Sequence, residues 1–436
     1  MFRPNILYIH SHDTGRYIQP FGRGVATPNL QRLAEEGVFF RQAFSAAPVC
    51  SASRSALLTG QMPHSNGMMG LAHRGFHLND YRQHLASFLG KAGYLTVLAG
   101  EQHEISGHPE MLGYQEVLPI PHRGADGIAT AAVSFLSRSL SGPFFLSVGF
   151  HDTHREFPPP LSPHFGSILP PAPLPDLPVV RQDMAGFIAS AQALDAGIGK
   201  VLAALEASGL AENTLVIATT DHGIAFPGMK CTLTDHGLGV YLILRGPGPF
   251  QPGRVVDAMV SHLDLYPTLC ELLDLPAPDF LQGCSLLSLL RDEVGGLHTE
   301  LFGEVTYHAA YEPMRSLRTA RWKYIRRFDA RTRPVLPNCD DSPSKTALLA
   351  LGWGEREIAP EQLYDLVLDP NEANNLVLHP QYADTLAELR TRLENWMHNT
   401  NDPLLTCPAQ FTPRDALVND PDGLSPSEPP QRVFPF

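Results

Sequence analysis

The chain has 436 residues, 43% hydrophobic and 18% charged, enough to bury the core of two domains or of one large domain with an appendage. Its net charge of -13 argues against the basic face that nucleic-acid binding needs, yet a few local cations would suffice to hold a small anionic substrate. The sequence offers no uninterrupted apolar run of membrane-spanning length, and NILYI at the start reads as a buried strand rather than a secretory signal, so a cytoplasmic location is expected.

In chain order, NILYIHS predicts a strand with a polar tip. Thr27-Pro28 then opens a helix that ends near Gly37, with Thr27 as cap and Pro28 at the first helical position. SRSALLTG predicts a helix with Cys50 at or just before its start. YLTVLAG, PFFLSVGF, TLVIATT and VYLILRG predict further strands, separated by helical stretches such as ATAAVSFLSRSL and FIASAQALDAGIGKVLAALEASG. This alternation implies an α/β fold with a large mixed, mostly parallel sheet sandwiched by helices. The segment EFPPPLSPHFGSILPPAPLPDLP is a proline-rich loop expected to wall the pocket. From about residue 300 the texture changes: two short strands in MRSLRTARWKYIRRF, a polar insertion around PNCDDSPSK and a helix through YADTLAELRTRLENWMHNT. The expected division is a catalytic domain over 1–300 and a smaller α+β domain over 301–436, with a Pro-rich tail on the surface.

In a doubly covered parallel sheet, ligands bind beyond the carboxyl ends of the strands. Chemistry-bearing residues collect there: His10, His12 and Asp13 after the first strand, Glu101 and His103 after the second, His151, Asp152, His154 and Arg155 after the third, and Asp221 and His222 after the fourth. Strand alternation favours His12 and Asp13, not His10, at the tip. A single histidine at a strand end is usually structural; four strands ending this way point to one shared site.

The six cysteines, at 50, 231, 270, 284, 339 and 407, form no C-x-x-C pair, which speaks against a thiolate metal site or a redox motif. Cys270 and Cys284 lie among leucines and are expected in the core. Cys50 sits among small polar residues at a helix start, where free amides favour an anion, with Arg54 one turn along.

The run C-S-A-S-R-S-A-L-L-T-G at Cys50 resembles the signature of the formylglycine-dependent sulfatases of the alkaline-phosphatase superfamily, with Ala52 where Pro is usual. ATPNLQRLAEEGVFFRQAFS, FHDTHR, TTDHG, MRSLRTARWKYI and QLYDLVLDPNEANNL resemble family segments in family order. TGQMPHSNGMMGL, DHGIAFPGMK, EPMRSLR and TNDPLLTCP are similar to the heparan N-sulfatase (N-sulfoglucosamine sulfohydrolase) branch. The resemblance implies a sulfuric ester or sulfamate hydrolase in which a formylglycine-generating enzyme has oxidised Cys50 to the nucleophile. It implies catalytic roles for Arg54, His103, His154 and Lys230, and one divalent metal on Asp13, Asp221 and His222 with His12 as fourth ligand. The alternative for His12 is a hydrogen bond to a ligand carboxylate. Glu101, Arg155, Glu304, His308 and Arg315 are expected around the substrate, a small sulfated, sugar-like molecule; a homo-oligomer is also allowed for.

Three residues depart from the family pattern: His12 for Asp, His222 for Asn and Glu101 for Lys. The family metal is calcium, whereas imidazole ligands also suit manganese or zinc. A phosphodiesterase or phosphonate monoester hydrolase of the same superfamily is the alternative reading, and a catalytically inactive relative that binds sulfated glycans a further one.

Overall fold

The structure, a computed structural model, describes residues 3–160, 165–406 and 412–432. Its main body is an eight-stranded sheet. In chain order the strands are β1 (Asn5–Ser11), β2 (Val38–Phe44), β3 (Leu95–Gly100), β4 (Glu116–Leu118), β5 (Phe144–Gly149), β6 (Thr214–Thr220), β7 (Gly239–Arg245) and β8 (Arg254–Ser261). Across the sheet the order is β4-β3-β5-β1-β6-β7-β2-β8. Only β7 runs against its neighbours. Every residue of β1, β5 and β6 is buried, because helices cover both faces; this is why these strands read as unbroken apolar runs instead of alternating ones.

One face packs on the helices Ala125–Leu136 and Pro178–Ala207 through Ile128, Phe135, Leu194, Ile198 and Val201. The opposite face packs on Leu85–Lys91 and Leu265–Leu272. Contrary to the expectation from sequence, one helix, Pro178–Ala207, is long and apolar enough to cross a membrane by length and composition; 56% of that stretch is buried inside the fold. The Thr27–Pro28 start holds, with the helix spanning Pro28–Glu35, although Thr27 Oγ1 accepts from Gln19 N instead of capping the helix.

A second sheet contains β9 (Glu300–Tyr307), β10 (Tyr311–Thr319), β11 (Trp322–Arg327) and β12 (Glu361–Asp365), all antiparallel in the order β12-β11-β10-β9. The helix Ala383–Asn399 covers it with Leu386, Leu389, Leu393 and Met397, a stripe at helical spacing. The sheets are laced together. Glu304 N donates to Ala46 O at 3.0 Å, and Arg74 Nη1 donates to Asn419 Oδ1 at 2.6 Å, which draws the C-terminal tail back over the first unit. The expectations for TNDPLLTCP and the proline-rich loop fall partly on 407–411 and 161–164, outside the described residues. On either side of 161–164, Phe157 and Leu174 pack with Tyr17 and Phe226. Cys284 is exposed, not in the core as its leucine neighbours suggested.

Leu7 is fully buried in the centre of β1. Leu7→Ala should destabilise the protein by about 2–5 kcal/mol, through lost burial plus the cavity left behind. A fall in the urea midpoint against wild type would show it.

Candidate active site

The tips of β1 and β6 meet through one carboxylate. Asp221 Oδ1 accepts from the backbone N–H groups of Asp13 at 2.8 Å and His222 at 2.9 Å. Asp221 Oδ2 takes Arg54 Nη2 at 3.1 Å and faces His12 Nδ1 at 3.2 Å. Asp13 turns the chain with a left-handed backbone at φ 49°. The helix Cys50–Thr59 is buried along its whole length and stops at Gly60, φ 65°, where a Cβ would meet Leu281 Cδ2 at 2.5 Å. Cys50 is its first residue. Arg54, one turn along, also donates to Ser11 O at 2.9 Å and bonds the His10 ring, which places His10 beneath the tip.

Cys50 Sγ lies 3.3 Å from His222 Nε2. His222 Nδ1 donates to Gly223 O at 3.0 Å, which turns Nε2 toward Cys50 and toward Asp13 Oδ1, 3.4 Å away. Lys230 Nζ bridges Asp13 Oδ2 at 2.9 Å and Asp340 Oδ2 at 3.0 Å. Burial alone would neutralise these charges. The charge partners win: His222, Arg54 and His12 hold the Asp221 carboxyl well below its ordinary range, and Asp13 and Asp340 hold the Lys230 ammonium well above its own. Burial pushes the Cys50 thiol up, with Lys230 opposing. Burial and then Arg54 keep His12 uncharged and bring His103 down to about 3.

A divalent cation fits this constellation. Ligand atoms of His12, Asp13, Cys50 and Asp221 all lie within 4.8 Å of one another, and Asp13 Oδ1 is buried without a hydrogen-bond partner. Asp13, Asp221 and His222 offer two carboxylates and an imidazole. His12 Nδ1 stands at a distance from Asp221 that serves either a shared cation or the carboxylate itself.

Outward from this cluster the wall is built of imidazoles. The His12 ring is 5.2 Å from His103, 5.7 Å from His151 and 5.4 Å from His154, centroid to centroid, and His73 stacks on His103 at 5.6 Å. His154 Nδ1 donates to Arg155 O at 2.6 Å, which turns Nε2 toward Asp13 Oδ2, 4.0 Å away. His103 N donates to Glu104 Oε2 at 2.9 Å. Glu101 stands half-exposed at the rim with Oε1 3.6 Å from His151 Nδ1. His308 is buried beside Lys230 and Asp340, which act on it electrostatically, and its Nδ1 has no hydrogen-bond partner among the described residues.

Three residues expected around the substrate are engaged elsewhere. Arg155 forms a two-pronged pair with Asp183, at 2.8 Å on each prong, and donates to Ala225 O between the rings of Phe157 and Phe226. Glu304 accepts from His64 N at 2.7 Å and pairs with the His64 ring. Arg315 is fully buried, with Nε and Nη2 on Asp402 and Nη1 on Val305 O. All three are structural braces. Conversely, Asp340, Glu104 and His151 belong to the cluster. His151 was legible as a strand-end residue; Asp340 arrives on the polar insertion, and nothing in its spacing signals Lys230.

The sulfatase family model matches residues 4–275, and a model of the N-sulphoglucosamine sulphohydrolase C-terminal region matches residues 229–346. The chain belongs to the sulfatase family. Its relatives include human N-sulphoglucosamine sulphohydrolase, 31% identical over 444 residues and covering 88% of each chain. An ulvan-active sulfatase of Formosa agariphila is 28% identical over 468 residues, covering 92% of this chain and 76% of the relative. A solved structure in complex with its substrate D-glucosamine-2-N,6-O-disulfate superimposes with a TM-score of 0.74 at 20% identity, over 93% of this chain and all of the other. At that identity the likeness is one of fold.

Arg315→Ala would strand the Asp402 carboxylate in the interior. A loss of about 3–5 kcal/mol is expected, read as a lower denaturation midpoint, whereas Arg315→Lys, which keeps the charge, should lose less.

Proposed function

We propose that this sulfatase removes a terminal sulfate, as an O-sulfate ester or an N-sulfamate, from a small sugar-like molecule. The observation that carries the reading is the position of Cys50: first in its helix, 3.3 Å from His222 and backed by Arg54 and Asp221. Two relatives, an N-sulphoglucosamine sulphohydrolase and a Delta 4,5-hexuronate-2-O-sulfatase, support a sulfated sugar as substrate.

In this reading Cys50 is converted to formylglycine by a modifying enzyme, and the hydrated aldehyde supplies the attacking hydroxyl. Asp13, Asp221 and His222, beside His12, would hold a divalent cation, which when bound would polarise a sulfate oxygen. The protein's own groups do the rest. Arg54 keeps Asp221 ionised and, with the free amides at the helix start, makes the position of residue 50 favourable for an anion. Lys230, fixed by Asp13 and Asp340, offers the positive charge that a sulfate with a single dispersed negative charge needs. His154, with Nδ1 committed to Arg155 O, presents Nε2 to the leaving oxygen or nitrogen and in its protonated form donates there. Buried Ser53 donates to Asp221 O and ties the helix to the tip of β6.

Cys50→Ala replaces one small buried residue by another and should keep the fold while lowering turnover at least ~10³-fold; circular dichroism and a sulfate-release assay report the two properties. Peptide mass spectrometry of an active preparation should find formylglycine at position 50, and an active preparation carrying only the thiol would sink the proposal.

Lys230→Ala should cost about 10²–10³ in kcat/KM, the usual scale for one preorganised charge on a transition state. The substrate class is tested by kcat/KM for N-sulfoglucosamine, an aryl sulfate and an aryl phosphonate monoester. A sulfate or sulfamate should be preferred. The carboxylate of Glu101 at the rim is the observation that favours phosphorus chemistry, and a phosphonate preference of several orders of magnitude would overturn the sulfatase reading of the substrate.

A further inference from the structure

The rim of the pocket contains a second constellation with metal-binding character. His12, Glu101 and His151 come from the ends of β1, β3 and β5, three strands that pair directly in the order β3-β5-β1. Their ligand atoms lie within 4.8 Å of one another. Two imidazoles and a carboxylate form a donor set that holds zinc or another first-row divalent ion and leaves a coordination position open.

Three features of the geometry point beyond an ordinary ion pair. His151 Nδ1 and Glu101 Oε1 are 3.6 Å apart, too far for a hydrogen bond. With ligand bonds of about 2.1 Å, neighbouring ligands of a tetrahedral cation are about 3.4 Å apart, so the gap suits two atoms sharing an ion. His12 Nδ1 faces Asp221 Oδ2 at 3.2 Å, which leaves Nε2 on the far side of the ring. A histidine whose one ring nitrogen is turned to a carboxylate presents the lone pair of the other outward, the orientation found in carboxylate–histidine–metal triads. Finally, the His154 ring is 5.0 Å from that of His151, so a third imidazole stands beside the set.

The surroundings supply the reason for such a site. A carboxylate on the rim, even paired with His151, works against the anion that the pocket must admit. A dication on Glu101 reverses the sign of the local charge and offers its open position to a substrate oxygen or nitrogen.

We propose that His12, Glu101 and His151 bind a second divalent transition-metal ion at the mouth of the active site, where it contacts the anionic group or a neighbouring donor atom of the substrate. This deepens the sulfatase reading and rests on it for the substrate's role; the metal site itself is testable without turnover. The proposal gives His12 to the outer ion and leaves Asp13, Asp221 and His222 to the inner one.

The test is Zn²⁺ titration of the full-length protein as purified, with metal counted by elemental analysis after free ion is removed. Wild type should take up one more equivalent of Zn²⁺ than Glu101→Gln or His151→Ala, each of which should fold as wild type because both side chains are partly exposed. Co²⁺ added in place of Zn²⁺ should give a visible ligand-field band that both variants lose. Asp13→Asn should lose the inner equivalent and keep the outer one. Equal metal content in wild type, Glu101→Gln and His151→Ala would overturn the proposal, leaving Glu101 and His151 as a simple pair, while sulfate release by that same protein would show the sulfatase reading intact. Loss of one equivalent in both variants supports the site, even if no sulfated substrate in the panel is turned over and the reading of function fails.

Discussion

A single buried carboxylate organises this molecule. Asp221 accepts two backbone N–H groups with one oxygen and meets a guanidinium and an imidazole with the other. Those contacts join the ends of β1 and β6 to the helix that begins at Cys50. A carboxylate stripped of water is costly unless every lone pair is used, and here the partners outweigh that cost and keep the charge. The placement of Cys50 follows, since Arg54 anchors the helix one turn below it.

Around this centre charges alternate. Lys230 lies between Asp13 and Asp340, and burial with nearby cations keeps His12 and His308 uncharged. The arrangement is preorganised: a negatively charged group entering the pocket meets cations already fixed by their own partners, so little reorganisation is left to perform as charge moves.

Much of this was readable from the residues. β1, β5 and β6 announce themselves as unbroken apolar runs because both faces are covered, and the polar residues at their tips fall where a parallel sheet exposes them. Other elements were hidden for physical reasons. β2 carries a register shift between Phe40 and Ala43 that breaks its pattern, and β8 is a partly exposed edge strand with mixed polarity. Arg155, Glu304 and Arg315 are the right residue types for holding an anion, but what they do is decided by Asp183, His64 and Asp402, distant in sequence and adjacent only after folding. Asp340 illustrates the converse: an unremarkable acid in a polar insertion becomes half of the clamp on Lys230.

That clamp has a consequence for how the protein can be taken apart. One carboxylate on Lys230 comes from the first strand of the large sheet and the other from the loops beyond the small one, while Glu304 binds the backbone four residues before Cys50. A fragment ending ahead of Glu300 would leave the ammonium with half its counter-charge and the Ala46 carbonyl without its backbone partner. The two sheets therefore do not behave as a portable catalytic module with a detachable appendage. They form one indivisible machine, and neither a truncation nor a graft of the large sheet alone onto another scaffold would carry the chemistry with it.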